Sequence, residues 1–482
     1  MTTHPITPEW VKDAIFYQIF PDRFAASARV PKPSNLEAWD SPPTREGFKG
    51  GDLLGVLERL DYLEALGIDA IYFNPIFQSA ANHRYHTYDY LQVDPILGGN
   101  DAFDALLAAA HTRSIRIVID GVFNHASRGF FPFHHVMENG ASSPYVDWFT
   151  FNSFPVNAYD ADGSPNYGAW WGLPALPKLN TDNPQVWNYL MGVAEYWVRR
   201  GIDGWRLDVP LEITTPGFWE EFRRRVKAID PETYILAEIW YEAGPWLQGH
   251  HFDATMNYPF NRACLNFFGG SALDTSIKPG DFQLQPITGT AFADAIDQLL
   301  SLYAWDVTLA QFNLLSSHDM ARFLTMVGGD RQRLKLATLF QMAFPGAPSI
   351  YYGDEVGMEG ADDPDCRRAF PWDEARWDHD LLDWFQRCTA LRRAHPALRR
   401  GTLHRLHADE STYAFARRLE GETLVAAFNV GDAPATLTLP ADLTQAAPFR
   451  DLLSGASLSL ADGALVLPPL SASLAAATQT PS

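Results

Sequence analysis

Cysteine is scarce in this chain. Three residues, Cys264, Cys366 and Cys388, lie far apart in 482 positions, which supports neither a disulfide framework nor a zinc site. Long apolar runs are also missing. No stretch could span a bilayer, and the opening residues MTTHPITPEWVKD hold no signal-type apolar core. Positive charge is short as well: 37 Lys and Arg face 58 Asp and Glu, a formal net charge of −21. Such an acidic chain is a poor partner for nucleic acid or an anionic membrane. No solenoid repeat and no low-complexity tract interrupt it. These absences predict a cytoplasmic protein large enough for one main domain and a smaller one. What is plentiful is aromatic surface. Several of the 15 Trp, 18 Tyr and 31 Phe sit in Gly/Pro-rich segments rather than in helical patterns, which hints at stacking surfaces.

Eight short apolar runs predict strands at 14–20, 68–74, 115–120, 202–208, 233–239, 252–258, 312–319 and 347–355. Helical patterns alternate with them at 52–66, 100–113, 183–200, 216–229, 290–304, 329–343 and 378–394, and the fifth connection is short. Asp182 or Asn183 before Pro184, and Thr215 before Pro216, read as helix starts. Alternation of this kind predicts an α/β fold, a (β/α)8 barrel. One connection is too long and too rich in Gly, Pro and aromatics to be a plain loop. It reads as an inserted subdomain over 123–178, so the barrel comprises 1–122 and 179–397. The short alternating runs of 398–482 predict a C-terminal β-sandwich domain.

The segment GWRLDVP (204–210) alternates large apolar residues, Trp205, Leu207 and Val209, with Arg206 and Asp208. A strand puts these on opposite faces. In a barrel the chemistry sits at the C-terminal ends of the strands. There the third predicted strand ends in Asp120, the fourth in Arg206 and Asp208, the fifth in Glu238 and the seventh in His318 and Asp319. Any one of these alone reads as a salt bridge or a helix cap. Four carboxylates on one rim force their pKa values apart, as acid/base work on a neutral substrate requires. Two carboxylates with aromatics fit glycoside cleavage. Arg206 would hold the nucleophile ionised, and Glu238, followed by Ile239 and Trp240, is the candidate for a raised pKa and hence the acid. The histidines of NHRYH (82–86) and FHH (133–135) raise a metal-hydrolase alternative, but the first strand lacks the His-x-His of barrel metallohydrolases. His83, His125 and His318 read instead as hydrogen-bond donors to sugar hydroxyls.

At these residues the chain resembles the α-amylase family, glycoside hydrolase family 13. The blocks DGVFNH (120–125), GWRLDV (204–209), EIW (238–240) and SSHD (316–319) occur in order. LPKLN (176–180) is similar to a motif of the neopullulanase, cyclomaltodextrinase and maltogenic amylase group, and YQIFPDRF, FDATMNYPF and YYGDEVGMEGADDPDCRR point the same way. The resemblance implies Asp208 as nucleophile, Glu238 as acid/base and Asp319 as a third carboxylate gripping sugar hydroxyls. It implies substrate-binding roles for His83, Tyr85, His125, His318, Asp363 and Arg367, a leaving-group platform at Trp240, and Asp120 positioning Arg206. The chain departs from the group in several places. His86 stands where the group has aspartate, LDVPLE replaces LDVANE or LDVPNE, and the loop after the first strand lacks a calcium-binding Asn/Asp/Gly run. Asn124 matches the other amylase calcium site without partnering acids, so no cofactor is expected to be required and no metal residue is assigned; calcium stays open as an alternative that lacks a full ligand set. The group carries an N-terminal β-domain that builds its dimer; here the barrel pattern begins at once, and a monomer or weak homodimer is expected. The implied activity is a retaining hydrolase of α-1,4 links in maltodextrins or cyclodextrins. An α-glucosidase or a maltose/sucrose isomerase of the same family is the nearest alternative, and a non-catalytic amylase-like scaffold the remote one.

Overall fold

The runs read as strands are buried on both faces, the pattern of a parallel sheet covered by helices. The computed structural model describes residues 7–160, 163–440, 443, 449–458 and 463–477. Eight strands form one parallel sheet: β1 (Phe16–Ile19), β2 (Ala70–Phe73), β3 (Arg116–Gly121), β4 (Gly204–Leu207), β5 (Tyr234–Ala237), β6 (Ala254–Thr255), β7 (Phe312–Leu314) and β8 (Ala347–Tyr351). From β1 to β6 each strand pairs with the next in sequence, β7 pairs with β8, and β8 returns to pair with β1. A parallel bridge from Met256 to Phe312 joins the β6 edge to β7 and closes the barrel. Helices form the outer ring. The helix Pro184–Arg200 shows why they start and stop where they do. Asn183 caps the Gln185 N–H, Pro184 occupies the first turn, and Gly201 ends the helix at φ 108.

Several boundaries differ from expectation. The predicted helix 52–66 is two short ones, Leu53–Leu57 and Leu60–Ala65. Thr215 is not a helix cap: its hydroxyl donates to Asp182 Oδ1 at 2.6 Å, and the helix Phe218–Ile229 starts after Gly217 at φ 79. The run 252–258 was expected to be strand throughout. Only Ala254–Thr255 is, because Asn257 caps the Phe260 N–H and Pro259 follows, starting the helix Tyr258–Gly269, which went unrecognised in the sequence. The fifth connection, between β5 and β6, contains only the 3-10 turn Gly244–Trp246.

The excursion after β3 carries the helix Phe131–Asn139 and an aromatic centre of Phe133, Phe149, Phe151 and Tyr167. It is tied back to the barrel where Leu179 N–H donates to Asn124 O and Ala126 N–H to Pro177 O, which lays LPKLN antiparallel to FNH. The C-terminal region is antiparallel. A six-stranded sheet and the pair Ala435–Thr438 and Ala464–Leu467 enclose Val425, Ala427, Leu437, Leu465 and Leu467. Parts of the predicted β-sandwich, such as 444–448 and 459–462, lie outside the described residues.

Candidate active site

Register assembles the centre of the site. Pairing of β3 with β4 puts Asp120 opposite Arg206, and pairing of β4 with β5 puts Leu207 opposite Ala237. Asp208 and Glu238, one residue further on, therefore leave adjacent strands at the same level. The Arg206 guanidinium, 1 % exposed, joins all three acids. Its Nη1 donates to both Asp120 oxygens and to Asp208 Oδ1 at 3.0 Å, and its Nη2 lies 3.0 Å from Glu238 Oε2. Asp120 is further fixed by the Tyr72 and Tyr85 hydroxyls at 2.7 and 3.0 Å.

β4 stops at Leu207, so Val209 does not continue the alternation read from GWRLDVP. Val209 is left-handed at φ 34, a rare state for a β-branched residue. The turn aims its N–H at Glu238 Oε2, 3.1 Å away. The Trp240 indole N–H donates to Glu238 Oε1 at 3.1 Å. Glu238 is thus not the carboxyl against an apolar wall that its sequence neighbours suggested: three donors surround it. Trp240 lies face to face with Tyr258, centroids 3.6 Å apart, so one side of the expected platform is covered.

A second network forms the rim. His318 and Asp319 were expected to end the seventh strand, but β7 ends at Leu314 and both sit in the loop beyond it. His318 Nδ1 meets Gln18 Nε2 at 2.8 Å, and its Nε2 meets the Tyr85 hydroxyl at 2.6 Å and Asp319 Oδ2 at 3.1 Å. Both ring nitrogens are therefore engaged within the protein. Arg367 donates to His318 O at 2.8 Å, pairs with Asp363 at 2.8 Å and reaches Asp319 at 3.5 Å. His83 and Tyr85 come from a turn between Phe77–Ser79 and Thr87–Val93, pinned by the buried Arg84–Asp94 ion pair at 2.9 Å. His83 Nδ1 accepts the Tyr85 N–H. His125 is fully buried and stacks on Trp170 with centroids 5.1 Å apart. The sequence-predicted residues thus converge on one rim from the ends of β3, β4 and β5 and from the loops after β2, β3, β7 and β8.

Burial dominates the proton affinities. Burial, then the Glu238 carboxylate, pushes Asp208 well above the usual carboxylate range against the pull of Arg206. Asp120 is raised by burial against the same pull. Asp319 is pushed up to about 7 by burial and by Glu238. Asp120, Asp208 and Asp319 are thus all biased toward the protonated form by burial in one site. The histidines go the other way. Burial lowers His125 to about 3 and His86 to about 4, and holds His83 and His318 well below 6.5, so all four are neutral hydrogen-bonding groups at pH 7.

Several buried polar atoms of the site lack a protein partner, among them Gln18 Oε1, Asn124 Oδ1 and His125 Nε2. Asp208 Oδ2 is buried without a protein partner, whereas its Oδ1 is held by Arg206. Sequence reasoning missed Gln18, Tyr72 and Trp170. The signal was there for Gln18, a lone amide inside the apolar FYQI. Among the described residues no group of three or more His, Cys, Asp or Glu is arranged to hold a metal ion. The Asn124 amide nitrogen instead contacts His125 Nδ1 at 3.2 Å. Nor, among those residues, is any helix long and apolar enough to cross a membrane.

Comparison with known proteins points to one family. The family description "Alpha amylase, catalytic domain" matches residues 18–381. A cyclomaltodextrinase from a Bacillus species is 45 % identical over 89 % of this chain and 75 % of its own. Neopullulanase 2 of Thermoactinomyces vulgaris is 41 % identical over 96 % of this chain and 77 % of its own. The crystal structure of a debranching enzyme from Nostoc punctiforme superposes with a TM-score of 0.90 at 48 % identity, covering 99 % of this chain and all of that one. With the barrel, the acids at its strand ends and these likenesses together, the chain belongs to the alpha-amylase family of glycoside hydrolases.

Proposed function

We propose that the protein cleaves α-1,4-glucosidic bonds of maltodextrins and cyclodextrins with retention of anomeric configuration. The carrying observation is the buried, unpartnered Asp208 Oδ2, on a carboxyl whose other oxygen is held by Arg206. With Asp208 ionised and the proton of the neighbouring acids on Glu238, that oxygen attacks the anomeric carbon while Glu238 gives the proton to the departing glycosidic oxygen, so one C–O bond forms as another breaks. Water then attacks the glucosyl–Asp208 ester, Glu238 takes the water's proton, and Asp208 leaves as a carboxylate. Adjacent strands lie about 4.8 Å apart. Side-by-side placement of the two acids on β4 and β5 favours the narrow spacing, about 5–5.5 Å, that retention needs. Transfer to a sugar hydroxyl in place of water would give transglycosylation. Asp319 and His125 hold hydroxyls of the reacting sugar, His83 and Tyr85 its ring, Asp363 and Arg367 the next sugar, and Trp240 the leaving group. The substrate class is supported by the likeness to the cyclomaltodextrinase and the neopullulanase. We further read 1–122 and 179–397 as the catalytic barrel, 123–178 as a substrate-shaping insert and 398–482 as a separate β-domain. A cytoplasmic location fits three buried cysteines that form no disulfide.

Proton NMR of the first product, before mutarotation, tests the mechanism: the α-anomer is expected, and a β-anomer rules out a covalent Asp208 intermediate. The likeness to a debranching enzyme favours a second reading, cleavage at α-1,6 branch points. Product chromatography on β-cyclodextrin, maltotriose and pullulan separates the two. Maltose and glucose from the first pair support the α-1,4 reading, and maltotriose from pullulan supports the α-1,6 reading.

A further inference from the structure

Three rings lead out of the candidate site. His125 stacks on Trp170 at 5.1 Å and 12°, and Trp170 stacks on Trp171 at 4.3 Å and 14°. His125 is fully buried, Trp170 is half-buried, and Trp171 is 79 % exposed. The column therefore runs from the floor of the site to solvent, and its last indole exposes most of its surface to water. Leaving that much apolar surface wet is unfavourable, and among the described residues the ring stacked on it is Trp170.

The backbone beneath Trp171 carries the second observation. Trp171 is left-handed at φ 52, ψ 21, and Gly172 follows at φ 68. Glycine takes this conformation freely, whereas a bulky aromatic residue there is an outlier. A Cβ at Gly172 would meet nothing within 4 Å, so the glycine answers to its backbone angle and not to a shortage of space. The loop is nevertheless firmly held. Trp170 N–H donates to Leu176 O at 3.0 Å, Leu173 N–H to Trp170 O at 3.0 Å, and the Tyr167 hydroxyl to Pro174 O at 2.6 Å. An ordered turn thus presents an indole outward at a conformational cost, one face on Trp170 and the other open to solvent. Strain of this kind collects where a ligand is gripped.

We propose that the outer face of Trp171 is a sugar-binding platform for a glucose unit of the α-glucan that lies beyond the reacting one. The inference rests on the α-glucan reading of the site. The apolar C–H face of a pyranose matches the flat, rigid indole, and burying the two against each other recovers the exposed area. Continuity of the column with His125 aligns the platform with the reacting sugar. Because the platform stands outside the enclosed part of the site, only chains long enough to reach it gain from it. Trp171 is then a determinant of chain length.

Steady-state kinetics of wild type, Trp171→Ala and Trp171→Phe on maltotriose and maltoheptaose test this. For Trp171→Ala, kcat/KM on maltoheptaose falls about three- to tenfold more than on maltotriose, and Trp171→Phe recovers most of the difference. Equal losses on both substrates, or none on either, overturn the proposal. So does a change of oligomeric state in Trp171→Ala by analytical ultracentrifugation, which would make the indole a contact between copies. Calorimetric binding of maltoheptaose to Asp208→Asn, with and without Trp171→Ala, needs no turnover. If the wild type hydrolyses none of these sugars, the hydrolase reading fails, yet weaker binding in the double variant still supports the platform. Unchanged binding there overturns it.

Discussion

Two sets of buried carboxyls stand just past strand ends of the same barrel, and they are arranged oppositely. After β8, Glu355 is wholly occupied: its Oε1 accepts from the Tyr17 and Tyr62 hydroxyls at 2.7 and 2.6 Å, and its Oε2 accepts from Gly353 N–H at 2.9 Å. After β4, Asp208 has one oxygen on Arg206 and the other without any protein partner. Both carboxyls are raised by burial. Burial and a shifted proton affinity therefore do not separate a structural acid from a reacting one. Between these two acids the difference is the spare oxygen of Asp208 and its place among the acids gathered on Arg206.

The comparison can be broken at its strongest point first. Asp208→Asn should reduce turnover of maltodextrin by about a thousandfold or more while the fold survives, since it removes a nucleophile and keeps the shape. Its melting temperature should be unchanged or higher, because one of four crowded acids is gone. A loss below about tenfold would reject Asp208 as the nucleophile. Glu238→Gln should come next, with about a hundredfold or greater loss on maltodextrin. An α-maltosyl fluoride should still react rapidly in its first step, because fluoride leaves without a proton. If fluoride and maltodextrin are slowed equally, Glu238 is not the acid.

Glu355 sharpens the contrast from the other side. Its folded-state pKa of about 7 lies above its ordinary 4.5, so it adds stability below about pH 4.5 that is lost as pH rises through 7. Wild type should lose on the order of 3 kcal/mol from this group between pH 5 and 8. Glu355→Gln should flatten that slope in urea denaturation and leave kcat/KM on maltotriose unchanged. A selective loss of activity without loss of stability would erase the distinction drawn here. The smallest effect concerns metal. With no ligand cluster among the described residues, EDTA should shift the melting temperature by less than about 2 °C. A larger fall would point to the neighbourhood of Asn124.

Much of this was legible in order along the chain. Eight apolar runs alternating with helical patterns, and a change of texture after Pro396, come from side-chain periodicity and turn residues, which are local. So does the placing of Asp120, Arg206, Asp208 and Glu238 near strand ends, because a strand buried on both faces can place a charge only where it emerges. Boundaries were less legible. Residues 257–258 look like strand until Asn257 is seen to cap a helix.

Sequence by itself determined the kinds of groups available and the order in which the barrel delivers them. Tertiary structure alone decided how they meet. The 120–206 and 207–237 registers bring three acids onto one guanidinium. The left-handed turn at Val209 points an N–H at Glu238. Tyr72 and Gln18 reach in from other strands. The reason is physical: periodicity depends on neighbours a few residues apart. Which acids share the guanidinium, and which donors reach Glu238 and His318, depends on contacts between residues 29, 86 or 300 positions apart, which no local pattern encodes.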